Sequence, residues 1–348
     1  MNVVFLGDSI STQNTGIHYF GKQLIEQITS KYKDHTYTVI SSAELKFKGV
    51  KNIVVPISKY IPFHLRLRQL YEIPNLLNKE APDVVIELAH FGPFRLKPGI
   101  KRITVIHDLS PILHREYHNL FSYLAHKLIL PNIISSAEYL ICNSNTTKRS
   151  IEDKFHITTA KTVVVYPRTK PKDTLKDLNL DYEYFLALGT LEPRKNYQNL
   201  IGGFNYYKAK GGDKKLVIIG AKGWKTKKIF TAMDSSEFKD DIIYLGYVER
   251  ELINTYLKNA SALVSASLFE GFGLPVLEAM SYTIPLILSD IDVYKEIAGN
   301  RTIYFDPLRV EDIGEALFSC QHQERELAEI SKERYREISS KEFELPFL

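Results

Sequence analysis

The chain has 348 residues, of which 44% are hydrophobic and 25% are charged, as is typical of a globular protein with two domains. No apolar run is long enough to predict a membrane span, and the opening MNVVFLGDSI predicts a first strand rather than a signal peptide. The two cysteines, Cys142 and Cys320, fit a cytoplasmic protein and exclude both a disulfide scaffold and a cysteine zinc site.

The net charge of +4 is unevenly distributed. Residues 1–175 hold 23 Lys and Arg against 14 Asp and Glu, while the remainder holds 22 against 27. This asymmetry indicates that the first part meets an anionic partner, although scattered solubilising lysines explain it equally well.

Short apolar runs rich in β-branched residues alternate with amphipathic stretches along the whole chain. Buried strands that alternate with helices predict parallel sheets covered on both faces, an α/β fold with two Rossmann-like, doubly wound domains. The predicted strands are 3–6, 38–40, 52–55, 83–88, 103–106, 139–142 and 162–165 in the first half, and 184–188, 215–219, 242–244, 262–265, 285–288 and 302–305 in the second. The clearest helical patterns are 16–30, 120–136, 196–210, 249–259 and 276–281.

A polar stretch, PRTKPKDTLKDLNLD, separates the two series of strands. It predicts an N-terminal domain over 1–168, a linker over 169–182 and a C-terminal domain over 183–322. Residues 323–348 form a C-terminal helical segment that we expect to return to the first domain. Ligands of such sheets bind beyond the carboxyl ends of the strands, so we expect the site in a cleft between the domains.

The strongest motif is SLFEGFGLPVLEAM, residues 267–280, which follows a buried strand and opens a helix. Gly273 lets a ligand approach the backbone, and the N-terminus of the following helix favours a phosphate or an anionic sugar oxygen. Glu270 and Glu278 each carry a carboxylate, which can accept two hydroxyl donors from a ribose or sugar diol. The alternative is a plain strand-to-helix turn with capping glutamates.

A second motif, LGTLEPRKN, spans residues 188–196 and places Arg194 and Lys195 at the end of another strand. Two adjacent cations match a diphosphate and would stabilise the charge on a departing nucleotide. Asn196 is a good N-cap for the helix that follows. The alternative is a solvated surface pair.

Together these motifs resemble glycosyltransferase family 4, the retaining enzymes of the GT-B fold. The spacing from PRKN to EGFGLPVLE, the stretch that begins YVERELINTYL and the later SDIDVYKEIAG all follow the family pattern. In the first half DVVIELAHFGPF, ITVIHDLSP and ICNSNTTKRSI are similar to the family's strands and loops.

The resemblance implies a role for each matched residue. Arg194 and Lys195 would bind the donor's phosphates, Glu270 the donor sugar and Glu278 the ribose of the nucleotide. The backbone of Phe272, Gly273 and Leu274 would reach the sugar or phosphates. His107, which precedes Asp108 at a strand end, matches the family's histidine near the donor sugar, although an Asx turn beside a packed imidazole fits the same residues.

The N-terminal loop, DSISTQNTGIHYF, corresponds to the glycine-rich loop that closes over the donor phosphates in the family. Here a single Gly16 follows Thr15, where many members have paired glycines, and Tyr19 stands where relatives often have arginine. Gly16 is expected to permit close approach of the backbone to the donor.

Two further segments allow alternative interpretations. Asp290 and Asp292 spell Asp-x-Asp, a metal-binding pattern in another glycosyltransferase fold, but their position favours helix capping and no bound metal or other cofactor. Residues 61–77, IPFHLRLRQLYEIPNLL, predict a basic amphipathic helix that either lies on anionic lipid or packs on the first sheet.

The resemblance implies a metal-independent transfer of a hexosyl unit, with retention, from a nucleoside-diphosphate sugar to a hydroxyl of a glycan or lipid-linked oligosaccharide. Mannosyl- and rhamnosyltransferases of surface-polysaccharide assembly are the relatives it suggests. We expect a cytoplasmic protein with peripheral contact to anionic membrane and no nucleic-acid partner. A nucleotide-sugar epimerase and a catalytically silent scaffold of the same fold are the alternatives.

Overall fold

A computed structural model describes residues 1–12, 16–58, 60–61, 64–89, 95–172 and 178–348. The chain divides into two compact units. Unit 1 comprises Met1–Pro167 together with Glu342–Leu348, and unit 2 comprises Arg168–Lys341. Within the described residues, no helix is both long and apolar enough to cross a bilayer.

Unit 1 is built on a seven-stranded parallel sheet with the order β3-β2-β1-β4-β5-β6-β7. Each strand coincides with one of the apolar runs of the sequence, whose β-branched residues suit a sheet buried on both faces. The strands are β1 (Asn2–Leu6), β2 (Thr36–Ser41), β3 (Val50–Val54), β4 (Val84–Glu87), β5 (Lys101–Ile106), β6 (Tyr139–Cys142) and β7 (Thr162–Val164).

Helices cover both faces of this sheet. They are α1 (Asp8–Thr12), α2 (Gly16–Lys31), α3 (His64–Leu67), α4 (Ile73–Glu80), α5 (Ser110–Leu113), α6 (Leu120–Ser136) and α7 (Asn145–Phe155). Successive strand residues point to opposite faces, so the core divides into two sides. On one side α2 packs together with Phe343, Leu345 and Phe347 from the C-terminal segment, and α4 and α6 pack on the other.

Unit 2 has a six-stranded parallel sheet with the order β10-β9-β8-β11-β12-β13. Its strands are β8 (Tyr184–Leu188), β9 (Lys215–Ile219), β10 (Ile242–Gly246), β11 (Ala262–Ser265), β12 (Leu286–Ser289) and β13 (Ile303–Phe305). Its helices are α8 (Tyr197–Ala209), α9 (Lys227–Asp234), α10 (Arg250–Asn259), α11 (Leu274–Ser281), α12 (Asp292–Ala298), α13 (Val310–Cys320) and α14 (Glu324–Ser339). The predicted α/β class with two Rossmann-like parallel sheets is therefore confirmed.

The helix predicted over residues 61–77 is present as an uninterrupted helical run from His64 to Glu80, but it contains a π-helical turn. A π-helical turn, Arg68–Glu72, joins α3 to α4, and Arg68 at its start is completely buried. Its guanidinium donates to Asp8 with Nη1–Oδ2 and Nη2–Oδ1 distances of 2.7 and 3.2 Å. Ile73 and Leu77 of α4 pack on the sheet, so the second half of this segment is a core helix. Residues 62 and 63 lie outside the described part.

Two predicted helix caps are wrong in detail. Asn196 stands at the N-cap position of α8, but its side chain makes no cap bond because it donates to the carbonyl of Pro307 at 2.7 Å. The N-cap of α12 is Ile291, so neither Asp290 nor Asp292 caps this helix. Asp290 instead forms an ion pair with Lys295 at 2.5 Å.

Candidate functional site

The two cations of the second motif lie in a short turn just beyond β8. The chain leaves β8 through Gly189, whose φ of +139° is a conformation that side chains rarely adopt, and reaches a 3₁₀ turn, Pro193–Lys195. A Cβ atom at Gly189 would lie only 3.0 Å from Cε of Lys195. The glycine therefore makes room for the lysine side chain at the end of the strand.

Backbone contacts join this turn to the loop after β11. The amide of Leu268 donates to the carbonyl of Arg194 at 2.9 Å, and Nη1 of Arg194 donates to the carbonyl of Phe269 at 2.9 Å. Because β8 and β11 are parallel neighbours, their carboxyl ends meet at one edge of the sheet. The fold thereby brings together two motifs that are far apart in the sequence. Arg194 and Glu270, which are in contact, are separated by 76 positions in the chain.

Glu270 is the centre of the resulting charge cluster. Its Oε2 lies 2.5 Å from Nη1 of Arg194, and its Oε1 lies 2.6 Å from Nζ of Lys195. Oγ of Ser267 also donates to Oε1, at 2.9 Å. Burial by itself would raise the pKa of Glu270, but the two cations outweigh it and lower the pKa to about 2. Glu270 is therefore a fixed anion that orients both cations.

Glu192 is a second carboxylate of the cluster that the sequence motifs did not single out. It is buried, and its Oε1 lies 2.6 Å from Nη2 and 2.9 Å from Nε of Arg194. Burial raises its pKa despite the neighbouring Arg194 and Lys195, and the charge of Glu270 adds to the rise. The only local signal was its position two residues before Arg194.

The loop that follows β11 ends at the N-terminus of α11. Gly273 is the N-cap residue with a φ of +100°, and a Cβ atom there would lie 2.7 Å from Cε1 of Tyr294. Phe272 beside it is buried, and Leu274 is the first residue of α11. In the first turn of α11 Pro275 has no N–H and the amides of Val276 and Leu277 donate to the carbonyl of Gly273, so Leu274 supplies the amide that this helix end can offer to an anion.

Glu278 is buried in the same helix and forms an ion pair with Arg250, the first residue of α10. Burial raises the pKa of Glu278, while the guanidinium of Arg250 acts against that rise. Arg250 lies in the quoted YVERELINTYL stretch, but the sequence analysis gave it no role.

His107 lies in unit 1, at the end of β5, and is buried. Its Nε2 donates to the carbonyl of Leu88 at 2.8 Å, and its ring packs edge-on against Phe20. Burial lowers the pKa of the imidazole, which favours the neutral form. Asp108 accepts from the amide of Ser110 at 2.8 Å, so the Asx turn considered in the sequence analysis is present.

Gly16 also lies in unit 1, as the exposed first residue of α2. Thr15, and with it the part of the N-terminal loop where relatives have paired glycines, lies outside the described residues. Across the ranges that the structure describes, no group of three or more His, Cys, Asp or Glu side chains is arranged to hold a metal ion.

Two family models together match nearly the whole chain. Residues 17–168 match the family model "Glycosyltransferase Family 4", and residues 171–337 match "Glycosyl transferases group 1". The chain belongs to glycosyltransferase family 4. The predicted resemblance is thus confirmed over both units.

Individual relatives of this family 4 chain include bacterial enzymes of O-antigen assembly. O-antigen chain mannosyltransferase B of Escherichia coli is 28% identical over 238 residues, which are 64% of this chain and 62% of that protein. O-antigen chain mannosyltransferase RfbU of Salmonella typhimurium is 26% identical over 211 residues, 60% of this chain and 58% of that protein. The chain therefore spans about three fifths of the length of these relatives.

Solved structures agree on the fold. Sucrose-phosphate synthase from Thermosynechococcus elongatus superimposes with a TM-score of 0.78 at 14% identity, covering 97% of this chain and 94% of that one. The fold is GT-B.

Proposed function

We propose that this chain is a retaining glycosyltransferase that moves a hexosyl unit from a nucleoside-diphosphate sugar to a hydroxyl group of a glycan or lipid-linked oligosaccharide. The observation that carries the proposal is the pair of cations, Arg194 and Lys195, held by the buried carboxylate of Glu270 at the carboxyl edge of the sheet. Family membership and the names of the O-antigen mannosyltransferases support transfer, and they make mannose the first sugar to test.

The donor would bind with its diphosphate against Arg194 and Lys195 and against the N-terminus of α11. Arginine offers a planar fork of donors and lysine a compact charge, so together they suit a diphosphate. Phe272, Gly273 and Leu274 would contribute backbone contacts, Glu270 would accept from the sugar hydroxyls and Glu278 from the ribose. Gly16 and His107, which the family resemblance also assigns to donor binding, would make further contacts with the donor.

In the reaction, the bond between the anomeric carbon and the diphosphate breaks while the acceptor oxygen attacks from the same face. The departing phosphate oxygen takes the acceptor's proton, and Arg194 and Lys195 stabilise the negative charge that develops on it. Because these two side chains supply the positive charge, we expect transfer without a divalent metal, so activity should persist in EDTA.

Two apolar surfaces of unit 1 support the proposed contact with an anionic membrane at the cytoplasmic side. One is the segment 64–72, where Leu65, Leu67, Leu70 and Tyr71 are exposed although Arg68 is not. The other is α6, which exposes Leu120, Phe121, Leu124 and Leu128 and carries Lys127 but no acidic residue. The apolar face of α6, with Lys127 beside it, suits the interface of an anionic bilayer, and the exposed side chains of segment 64–72 would add apolar area to the contact.

The two surfaces belong to the same side of the sheet of unit 1. Val4 and Val85 are partners in register and pack with α4, which directly follows the exposed segment. Val85 is the partner of Arg102, and strand alternation places Ile106 of the same strand on that side, where it packs with α6. A lipid-linked acceptor in that membrane would then lie next to unit 1, which carries His107.

A thermal-shift screen tests the donor site. The ligands are UDP, GDP, dTDP and ADP with their common sugars, and Arg194→Ala is the control variant. A nucleotide at about 100 times its Kd should add roughly 2.7 kcal/mol to the free energy of unfolding. We expect stabilisation by one nucleotide that the variant loses, and no stabilisation by any of them would contradict the proposal. Product analysis without acceptor separates transfer from epimerisation.

Co-sedimentation with vesicles tests the membrane contact. Vesicles that contain phosphatidylglycerol should bind the protein, and substitution of Phe121 and Leu128 by serine should weaken that binding. Equal recovery of the protein with and without vesicles at low salt would contradict the contact.

A further inference from the structure

Arg250 occupies a position that is unfavourable for a cation. It is the first residue of α10, where the positive end of the helix dipole repels positive charge. Its side chain is one-third exposed, and Nη2 donates to Oε1 of the buried Glu278. A carboxylate 28 residues further along the chain therefore holds the guanidinium at this helix end.

Glu278 in turn depends on Arg250 for its charge. Two other helices, α12 and α14, also pack on α11. Their charges include Lys295, which pairs with Asp290, and Arg334, which donates to the carbonyl of Ile297. Burial raises the pKa of Glu278 above its ordinary value, and the guanidinium of Arg250 limits that rise. Without Arg250 the buried carboxyl group would hold its proton to higher pH.

We propose that Arg250 is a positioning residue of the donor site, whose ion pair with Glu278 orients that carboxylate to accept hydrogen bonds from the ribose of a nucleotide. This inference rests on the proposed function, in which Glu278 binds the ribose. An ionised carboxylate accepts both hydroxyl groups of a vicinal diol, whereas the protonated acid must itself donate one hydrogen bond. Arg250 would thus favour ribonucleotides without touching the reacting atoms.

The experiment measures Kd by calorimetry for UDP, GDP and ADP and for their 2′-deoxy forms, between pH 5.5 and 8.5. In Arg250→Ala we expect the preference for the ribose form to fall at low pH and to recover as the pH rises. As the pH falls below the pKa of Glu278 in this variant, the ribose preference should decline by at most tenfold per pH unit until it reaches that of Glu278→Gln, because only the ionised fraction retains the preference. Arg250→Lys, which retains a cation, should restore most of the wild-type preference.

Two comparisons separate this role from a structural one. Arg301→Ala removes a surface ion pair with Glu333 in the same unit and should leave both Kd and its pH dependence unchanged. Glu278→Gln should lose the ribose preference at every pH, and adding Arg250→Ala to it should cause no further loss.

Two results would overturn the inference. One is an Arg250→Ala variant with the wild-type pH profile and the wild-type ratio of ribose to deoxyribose affinity. The other is that Arg250→Ala lowers the ribose preference by as much in the Glu278→Gln background as it does in the wild-type protein. A wild-type protein that binds none of the three nucleotides would instead refute the proposed function, and with it this role.

Discussion

Replacement of Glu270 by glutamine tests whether this carboxylate holds the two cations together. Glutamine has the shape of the protonated acid, so the change removes the negative charge and little else. The pKa of Glu270 falls from an ordinary value of 4.5 to about 2 in the folded protein. At about 1.4 kcal/mol per pKa unit, Glu270→Gln should lower the free energy of unfolding by about 3.5 kcal/mol at pH 7.

The stability difference between wild type and Glu270→Gln should depend on pH. A carboxyl group whose pKa is lowered by folding stabilises the protein fully above its unfolded pKa, and this contribution is lost as the pH falls towards the folded pKa. The difference between wild type and Glu270→Gln should therefore be constant from pH 7 to about pH 5 and should shrink below pH 4.5.

Urea unfolding followed by tryptophan fluorescence is the assay. The chain has a single tryptophan, Trp224, and it lies in unit 2 with the cluster. Its signal therefore reports the unfolding of the relevant unit even if the two units unfold separately.

Glu192→Gln is the matched control because Glu192 binds the same arginine. Burial raises the pKa of Glu192, so its ionised form is disfavoured by folding. Its replacement by glutamine should therefore leave stability unchanged or raise it slightly. An unchanged stability of Glu270→Gln, or an equal loss in both variants, would contradict the conclusion that folding lowers the pKa of Glu270 and raises that of Glu192.

Three further predictions concern catalysis and packing. Lys195→Ala should reduce kcat by roughly 10²–10³ without unfolding the protein, and wild-type turnover in a product assay would contradict its role. Gly203→Ala should lower stability by about 1–3 kcal/mol in the Trp224 assay, because a Cβ there would lie 2.4 Å from Cγ2 of Ile313; an unchanged urea midpoint would refute this packing. The thiols of Cys142 and Cys320 are buried, and burial raises the pKa of Cys320 to about 12, so thiol reagents should label native protein slowly. In single-cysteine variants, labelling of Cys142 should follow unfolding of unit 1 and labelling of Cys320 that of unit 2, and rapid labelling without denaturant would contradict the burial of either.

Much of the fold could be predicted because the signals for it are local. Each predicted strand is present within about two residues of its expected ends, since a run of apolar β-branched residues suits a parallel strand buried on both faces. The helix over Leu120–Ser136 was predicted with its correct ends despite Pro131 within it. The cap at Asn196 was wrong because the carbonyl of Pro307, more than 100 residues away, takes the side chain that would otherwise cap the helix.

The partners within the candidate site were harder to predict, for a physical reason. The motifs identified Arg194, Lys195 and Glu270, but residue types alone do not show which carboxylate a cation will contact after folding. Glu192 has an ordinary sequence context, and only its burial beside Arg194 makes it part of the cluster.

Arg250 is the more instructive case, because the sequence did contain a usable signal. Cations are disfavoured in the first turn of a helix, yet the predicted helix over 249–259 has Arg250 in its first turn. Such a placement is favoured by a nearby anion, and Glu278 is the buried carboxylate that the Arg250 guanidinium contacts. A charge that opposes the helix dipole is therefore a reason to look for a tertiary partner, and here the partner is Glu278, which we propose binds the ribose of the donor.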